Sequence, residues 1–446
     1  MSLTNRLYYA SPKPFQELLI AAKAMGMPYK YAKPDREIIL DEGEGAGQQV
    51  ANIEKMLKYA AVNVPFYSEI IRSKGLSETD ININNFKELF PIVTKNELRE
   101  DENLFTSRIA AHKNIIINTS GTTGQPLRIP TNAEDRARNY KFFNALLAKF
   151  DVGPFSKSIT IAGKKVGSSN QRNSIYRYDR YSKTLYMSNY DLTYGKIEQY
   201  INKITEFNPE YIDSYPYPIA MLAKYMLLNN IEYSAESLKC ILTSSEALTD
   251  SDRVIVESVF KCVVVDQYGS AEMAAFAFNI GNEFRFPKEY ALVEFIENTR
   301  GNFDIVATSS VNRGLPMIRY NTGDEVDKVI KDDTWFVSAS KLIGRVEDPI
   351  KLNSGELLTQ FNPVSGVPNI VSAQVIQDSN RLISINIIPK PEFSNEEMSM
   401  ILSNASLKLG GKAEFICQTV ERHHLTRNGK FKFIVNECLQ LENEQK

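Results

Sequence analysis

The chain has 446 residues, of which 43% are hydrophobic and 24% charged, so it resembles an ordinary globular protein with room for more than one domain. Its formal net charge of −2 at pH 7 argues against a nucleic-acid-binding surface, which needs a clustered excess of Lys and Arg. No apolar run approaches the roughly 18 residues that a membrane-spanning helix needs. Four widely spaced cysteines and the absence of a visible secretory signal indicate reduced thiols in a cytoplasmic protein.

The first hundred residues predict helices. Apolar side chains recur at helical spacing at Phe15–Ala22 and again at Ile53–Ala60. Pro65 is expected to end or kink the second of these helices. Further along, Thr94 is followed three residues later by Glu97, and this spacing predicts a helix start with a capping box.

A loop rich in Ser, Thr and Gly occupies residues 119–126, between two apolar segments that predict strands, Ile115–Ile117 and Leu127–Pro130. Its glycines let the backbone approach a ligand closely. Successive N–H groups in such a turn form an anion-binding concavity, to which hydroxyls add further donors. The pattern favours a polyphosphate ligand, and an ordinary polar hairpin loop is the alternative.

Between residues 158 and 265, strand and helix patterns alternate. The apolar runs Cys240–Thr243 and Val263–Val265 predict strands buried on both faces, so we expect a largely parallel α/β sheet. Ligands of such sheets bind beyond the carboxyl ends of the strands. The polar segments Ser244–Glu246 and Gln267–Glu272 lie at those ends. From about residue 345 the pattern changes to that of a separate α+β unit.

Six segments follow one another in an order and spacing that resemble the adenylate-forming superfamily: the acyl-CoA ligases, luciferase and the adenylation domains of peptide synthetases. They are residues 119–126, 244–246, 268–272, 319–324, 344–351 and 425–430. Val64–Tyr67, Phe90–Lys95 and Pro316–Tyr320 resemble the phenylacetate-CoA ligase and CapK-type branch in particular. The resemblance implies an α/β fold with a large N-terminal domain of mostly parallel sheets, residues 1–344. A small C-terminal α+β lid domain, residues 345–446, would follow a hinge near Glu347.

The resemblance also implies an ATP site. The phosphate loop would consist of Ser120, Gly121, Thr122, Thr123 and Gly124. Cofactor-binding residues around the adenine would be Ser245, Glu246, Tyr268, Gly269 and Ser270, with Tyr268 stacked on the base. Asp324 would accept hydrogen bonds from the ribose hydroxyls.

Three further residues are implied to act on the reacting groups. Glu272 would bind Mg²⁺, a hard cation that prefers carboxylate and phosphate oxygens. Arg345 would meet a phosphate or ribose oxygen. Lys430, on the lid, would reach the reacting carboxylate and the α-phosphate.

The chain departs from the family pattern at four positions. Ala271 replaces the usual Thr or Ser before the magnesium glutamate, and Asn321 replaces the usual Arg. The hinge residue is Glu347 where Asp is usual, and Leu127 replaces a basic residue that often follows the phosphate loop. These departures affect details of ATP handling without removing a charge that the reaction needs.

The implied reaction has two steps, in which a carboxylate and ATP give an acyl-adenylate and then an acceptor displaces AMP. Coenzyme A is the expected acceptor, by resemblance alone. The alternatives are an amide ligase that acylates an amino sugar or amino acid, and a nucleotide-binding protein without turnover. A homodimer is an open expectation. Family position suggests that Tyr215–Pro218 and Ala274–Phe276 line the acid pocket and favour an apolar or aromatic acid, with plain core packing as the alternative.

Overall fold

The computed structural model describes residues 8–34, 46–109, 115–119, 127–166, 175–281, 283–332, 336–344, 348–358 and 361–439. The chain is a mixed α/β structure with one large sheet and a small C-terminal α+β unit, so the predicted fold class is confirmed. The predicted domain boundary and the hinge at Glu347 fall on residues 345–347, outside the described residues, and stay predictions.

The helices of the described residues surround and connect the strands. They are α1 (Lys13–Met25), α2 (Ala46–Asn63), α3 (Pro65–Ser73), α4 (Phe86–Leu89), α5 (Lys95–Glu100), α6 (Glu102–Phe105), α7 (Ala133–Ala148), α8 (Ile197–Phe207), α9 (Pro216–Leu228), α10 (Asp250–Phe260) and α11 (Asn395–Leu409). Short 3₁₀ helices occupy Pro28–Tyr31, Glu78–Asp80 and Tyr194–Lys196.

Two local predictions about these helices are confirmed. Helix α2 ends at Asn63, and Pro65 opens α3, where a proline is tolerated because the first N–H of a helix has no intrahelical partner. At the start of α5, the Thr94 N–H donates to Glu97 Oε2 at 2.7 Å, and the two residues form a capping box.

The strands belong to five sheets. They are β1 (Ile115–Asn118), β2 (Arg128–Thr131), β3 (Ser158–Ile161), β4 (Tyr176–Asp179), β5 (Thr184–Met187), β6 (Tyr211–Ser214), β7 (Cys240–Ser244), β8 (Val263–Gly269), β9 (Phe276–Asn279), β10 (Phe284–Pro287), β11 (Ala291–Glu297), β12 (Phe303–Ser309), β13 (Tyr320–Val326), β14 (Val329–Asp332), β15 (Phe336–Ala339), β16 (Leu342–Gly344), β17 (Ile350–Lys351), β18 (Leu357–Leu358), β19 (Ile370–Gln377), β20 (Ile383–Pro389), β21 (Phe415–Thr419) and β22 (Ile434–Asn436).

The large sheet has ten strands in the order β14-β15-β10-β9-β8-β7-β6-β3-β5-β4. Its central strands β5, β3, β6, β7 and β8 are parallel, as the apolar runs predicted. Ile212 and Ile241 pack in the core on one face, while Leu242 and Val265 pack in the core on the other. Burial on both faces explains why these strands are continuous apolar runs.

Smaller sheets complete the molecule. Strands β1 and β2 form an antiparallel hairpin, and β11, β12, β13 and β16 form an antiparallel sheet. In the C-terminal unit the sheet β21-β20-β19-β22 packs against α11, with Ile385 and Ile401 in its core. None of the described helices is long and apolar enough to cross a membrane, and all four cysteines are free thiols.

Candidate active site

The phosphate-loop prediction concerns the connection between β1 and β2. These strands are in register, with Ile117 opposite Ile129, so the two predicted strands are confirmed. Thr119 fixes the base of the loop, because its N–H donates to Leu127 O at 3.0 Å and its hydroxyl accepts the Leu127 N–H at 2.9 Å. The residues predicted to hold phosphate, Ser120, Gly121, Thr122, Thr123 and Gly124, lie outside the described residues, and their roles stay predictions.

The predicted adenine residues lie at the carboxyl ends of β7 and β8. These parallel neighbours place Ser244 beside Gln267, so Ser245 and Tyr268 lie at the same sheet edge. Ser245 has a φ of 73°, an uncommon conformation for a residue other than glycine and one that tends to occur at functional sites. Gly269 ends β8, and the sheet therefore presents the segment where the sequence predicted it.

Ser270, in the same segment, has a buried hydroxyl without a hydrogen-bond partner among the described residues. An unpaired buried polar group is unfavourable, and a polar ligand would relieve it. This hydroxyl is therefore consistent with the nucleotide that the resemblance implies.

The structure joins the residues predicted for the base and the ribose. The Tyr268 hydroxyl donates to Asp324 Oδ2 at 2.8 Å, and the Tyr268 ring packs edge-on against Phe286. Burial, together with the Asp324 carboxylate, raises the pKa of Tyr268 well above its usual value, so the phenol keeps its proton. The ring position and the Asp324 carboxylate are thus fixed relative to each other.

Glu272, the predicted magnesium ligand, is 5% exposed and forms an ion pair with Lys95, whose Nζ lies 2.8 Å from Glu272 Oε1. The sequence assigned no role to Lys95. The available signal was its segment, Phe90–Lys95, which carried the resemblance and has Lys95 as its only charged residue.

These residues fit a magnesium ion only when it arrives with phosphate. No group of three or more His, Cys, Asp or Glu side chains that could hold a metal occurs among the described residues. Mg²⁺ is commonly held by one or two carboxylates together with substrate phosphates and water. Glu272 can supply such a carboxylate, provided that Lys95 shares or releases it.

Glu246 connects the large sheet with the C-terminal segment that carries Lys430 and Phe431. Its Oε1 accepts the Phe431 N–H at 2.6 Å, and its Oε2 accepts the Tyr217 N–H at 3.2 Å. Burial raises the pKa of Glu246 to about 7, while these two hydrogen bonds and the nearby Lys430 oppose that increase. Both carboxylate oxygens are therefore engaged in an attachment that the predicted adenine role did not include.

The loop that carries Lys430 is a tight turn. The Gly429 N–H donates to Thr426 O at 2.8 Å, and the Lys430 N–H donates to Thr426 Oγ1 at 3.0 Å. Gly429 has a φ of 76°, and a Cβ at this position would lie 3.0 Å from Gly163 Cα. Glycine is required here both by conformation and by the close approach of Gly163.

This loop is docked on the large sheet. The Phe431 ring stacks on Tyr217, with centroids 4.4 Å apart and an interplanar angle of 9°. The Tyr190 hydroxyl donates to Arg427 O at 2.7 Å, and Asn189 Nδ2 donates to Gly429 O. The structure thus brings Lys430 to the sheet edge that carries Glu246. Arg345, predicted to meet phosphate or ribose oxygen, lies outside the described residues.

The residues expected to line an apolar acid pocket pack in the core or against the Lys430 loop. Ala274 and Phe276 are 0% and 4% exposed and belong to the core, where the Phe276 ring lies against Phe142. Tyr217 is stacked on Phe431, and Pro218 is buried. Core packing, the alternative interpretation, describes Ala274 and Phe276, whereas Tyr215 and Tyr217 contact the Lys430 loop. That these segments line the acid pocket stays a prediction.

Comparisons with known proteins agree with this architecture. Residues 349–437 match the family described as the CapK C-terminal domain. The chain is similar to Protein CapK of Staphylococcus aureus, with 27% identity over 451 residues, covering 97% of this chain and 99% of that protein.

Solved structures share the fold. 2-Hydroxyisobutyryl-CoA ligase in the postadenylation state superposes with a TM-score of 0.63 at 13% identity, covering 92% of this chain and 98% of that one. The GH3.15 acyl acid amido synthetase superposes with a TM-score of 0.54 at 12% identity, covering 89% of this chain and 92% of that one. The chain therefore has the fold of the adenylate-forming ligases and carries a CapK-type C-terminal domain.

Proposed function

We propose that the protein is an AMP-forming ligase, which activates a carboxylic acid as an acyl-adenylate and then transfers the acyl group to an acceptor. One observation carries the proposal: the loop with Lys430 is docked through Glu246 at the sheet edge where Tyr268 is joined to Asp324. This arrangement supports the proposal, because adenylation would use a lysine at the α-phosphate, an aromatic ring at the adenine and a carboxylate at the ribose.

In the first half-reaction, a carboxylate oxygen of the acid attacks the α-phosphorus of ATP. The bond from the α-phosphorus to the bridging oxygen breaks, and pyrophosphate leaves with the electron pair. Lys430 stabilises the negative charge that builds up on the α-phosphate, while Tyr268 and Asp324 hold the nucleoside. Mg²⁺, bound to the nucleotide and to Glu272, would neutralise phosphate charge.

In the second half-reaction, the lone pair of a thiol or amine attacks the acyl carbon. The carbon–oxygen bond to AMP breaks, and AMP leaves with the electron pair. The acceptor needs access to the face that the Lys430 loop covers, so the contacts between Glu246 and Phe431 must open. We place the hinge for this motion near Glu347.

Coenzyme A is the first candidate acceptor, supported by the resemblance and by the CoA ligase that shares the fold. An amine is the second candidate, supported by the acyl acid amido synthetase with the same fold. Transfer to the thiol or to the amine would follow the same adenylation, so the acceptor is tested separately.

The test measures pyrophosphate release by the purified protein with ATP, Mg²⁺ and a panel of carboxylic acids, first alone and then with CoA or an amine panel. We expect acid-dependent pyrophosphate release, and an acyl product with one class of acceptor. Binding of ATP without pyrophosphate release from any acid would instead indicate a nucleotide-binding protein without turnover.

A further inference from the structure

A second group of polar side chains lies on one face of the large sheet, away from the adenine residues. Thr160 in β3 is in register with Tyr186 in β5 and with Asp213 in β6. Paired residues point to the same face, and neighbouring strands are about 4.8 Å apart, so these side chains are adjacent. Lys164 follows β3, with its ammonium 3.2 Å from the centroid of the Tyr186 ring. We call Thr160, Lys164, Tyr186 and Asp213 the polar cluster.

The opposite face of the same strands is entirely different. Ile159, Leu185 and Ile212 point there, are at most 1% exposed and belong to an apolar core. The polar residues of β3, β5 and β6 are therefore concentrated on one face of the sheet. This face is partly covered, because Thr160, Tyr186 and Asp213 are half-buried while Lys164 is exposed.

Helix α7 and the 3₁₀ helix Pro28–Tyr31 cover the polar cluster. Asn144 of α7 donates from Nδ2 to Lys30 O at 3.2 Å and to Ala32 O at 2.7 Å, which ties the two elements together. Tyr140 of α7 interacts electrostatically with Asp213, and Tyr31 interacts in the same way with Tyr186. These two elements therefore flank the polar cluster on the side away from the strands, and the cluster stays accessible to solvent.

Two members of the polar cluster form no hydrogen bond with the described residues. Thr160 and Asp213 are half-buried, and neither side chain forms a hydrogen bond with another side chain or backbone group of the described residues. A half-buried carboxylate without a hydrogen bond is unfavourable, and water or a ligand must satisfy it.

Burial acts on both charges of the polar cluster. It raises the pKa of Asp213 to about 6, against the attraction of Lys164. Although part of Lys164 is accessible to solvent, the surrounding protein lowers the pKa of its ammonium to about 7. The surroundings therefore disfavour the charged form of both groups.

The polar cluster also lies beside the predicted reaction site. Gly163 precedes Lys164, and a Cβ on Gly163 would lie 2.6 Å from Asn428 O. The Tyr215 hydroxyl, two residues after Asp213, is 3.4 Å from the same carbonyl. Asn428 is two residues before Lys430, so the polar cluster begins where the lysine loop touches the sheet.

The chemistry of these side chains selects among substrates. A hydrocarbon or plain aromatic body would leave Asp213 and Thr160 unpaired. An ammonium group could pair with Asp213 but would be repelled by Lys164 and by Lys30, whose charges interact with each other. Neutral hydroxyls, in contrast, can donate to Asp213 and accept from Lys164.

We propose that the polar cluster binds the body of the acid substrate, and that this acid is a polyhydroxylated carboxylic acid such as a sugar acid. The inference rests on the proposed function, because only an enzyme that activates an acid needs a site for it. It replaces the expectation of an apolar or aromatic acid.

The experiment measures acid-dependent exchange of labelled pyrophosphate into ATP, which needs no acceptor. The panel pairs sugar acids, such as glucuronate and galacturonate, with cyclohexanecarboxylate and benzoate, which have six-membered rings without hydroxyls. For the wild type we expect a kcat/KM at least about 10-fold higher with a hydroxylated acid. Asp213→Asn and Asp213→Leu should lose roughly 10–100-fold with that acid, the range expected for hydrogen bonds to a charged group.

Two variants complete the experiment. Thr160→Val, which keeps the shape of the side chain, should lose roughly 5–10-fold with the same acid, as expected for one neutral hydrogen bond. The control is Asp252→Asn, which should leave exchange unchanged, since Asp252 pairs with Lys224 between helices α9 and α10, and these helices pack on the opposite face of the sheet. Near-ultraviolet circular dichroism checks that each variant is folded.

The outcomes separate this inference from the proposed function. Exchange with the apolar acids alone, or full exchange of hydroxylated acids by a folded Asp213→Leu, would overturn the inference and leave the ligase proposal standing. If none of the acids supports exchange although the protein binds ATP, both the inference and the ligase proposal are overturned.

Discussion

Two regions contain similar kinds of side chains but differ in how these are hydrogen-bonded. One is the polar cluster, and the other is the sheet edge with Tyr268, Glu272 and Asp324, which we call the nucleotide edge. At the edge, Tyr268 is paired with Asp324, and Lys95 with Glu272. In the polar cluster, Asp213 and Thr160 have no hydrogen-bond partner among the described residues. Paired groups hold one another in position before a ligand arrives, which suits a nucleotide shared by many enzymes. Unpaired groups obtain their partners from the ligand, which suits the substrate that differs from enzyme to enzyme.

The largest effect should come from Lys430, which we propose acts where the acid and the nucleotide react. Lys430→Ala removes the charge that we propose stabilises the α-phosphate, so adenylation should fall by roughly 10²–10³-fold, equivalent to about 3–4 kcal/mol. Transfer from a synthetic acyl-adenylate should stay near the wild-type rate, because the lysine acts only in the adenylation step. Pyrophosphate release and product formation from the preformed adenylate measure the two steps.

A matched control lies two residues further along. Lys432 is paired with Asp348 at 2.9 Å, and Lys432→Ala should leave adenylation nearly unchanged. Equal losses in both half-reactions for Lys430→Ala would contradict the alternation of the lid.

The next effect tests the ion pair at the nucleotide edge. Glu272→Gln keeps the shape but removes the charge that Lys95 and the metal would share, so adenylation at limiting Mg²⁺ should fall by about 10²-fold. A magnesium titration of pyrophosphate release, with the conservative Lys95→Arg variant beside it, measures the change. An unchanged titration for Glu272→Gln would remove Glu272 from the metal site.

A smaller effect is expected at the pair that fixes the base and the ribose. Tyr268→Phe keeps the ring but removes the hydroxyl that donates to Asp324, and the KM for ATP should rise by roughly 10-fold. The kcat should change much less, since the phosphates are untouched. Phe286→Leu tests the ring contact separately, and a larger loss there than in Tyr268→Phe would show that ring packing outweighs the hydrogen bond.

The smallest effect concerns the attachment of the Lys430 loop. The pKa of Glu246 is raised to about 7 in the docked state, so the docked state binds a proton that a solvent-exposed glutamate, with a pKa near 4.5, has released. The stabilisation is therefore complete below about pH 4.5 and is lost as the pH rises through about 7.

Thermal unfolding from pH 5 to pH 8 tests this sign. The free energy of unfolding of Glu246→Gln minus that of the wild type should increase from pH 5 to pH 8 by about 1–2 kcal/mol, or roughly 2 °C in Tm. The reason is that the wild type loses stability as Glu246 ionises, whereas the neutral amide does not titrate. A constant difference between the two proteins at all pH values would show that Glu246 does not couple protonation to docking.

The two regions also differ in how far the sequence could reveal them. The nucleotide edge depends on short contiguous segments, such as Ser244–Glu246 and Gln267–Glu272, and each follows a strand that its apolar run predicts. The order of the strands then brings these segments together, and the family resemblance assigned roles to Tyr268 and Asp324 without coordinates. Their mutual hydrogen bond needed the structure, because it joins β8 to β13 of a different sheet.

The polar cluster has no such signal. Thr160, Tyr186 and Asp213 each come from a separate strand, and only the register of β5, β3 and β6 aligns them. The contact between Glu246 and Phe431 could not be predicted either, since the two residues are 185 positions apart in the chain. The prediction of an apolar acid relied on Tyr215–Pro218 and Ala274–Phe276, and the sequence could not show that Ala274 and Phe276 are buried in the core, with the Phe276 ring against Phe142 of α7.

Isotope transfer tests the central claim of acid activation most directly. The protein is incubated with ATP, Mg²⁺, an acceptor and an acid whose carboxylate is labelled with ¹⁸O, and the products are analysed by mass spectrometry. If the carboxylate attacks the α-phosphorus, cleavage of the acyl–oxygen bond leaves one labelled oxygen in AMP. We expect labelled AMP from the wild type and almost none from Lys430→Ala. Unlabelled AMP, or label in inorganic phosphate, would contradict an acyl-adenylate.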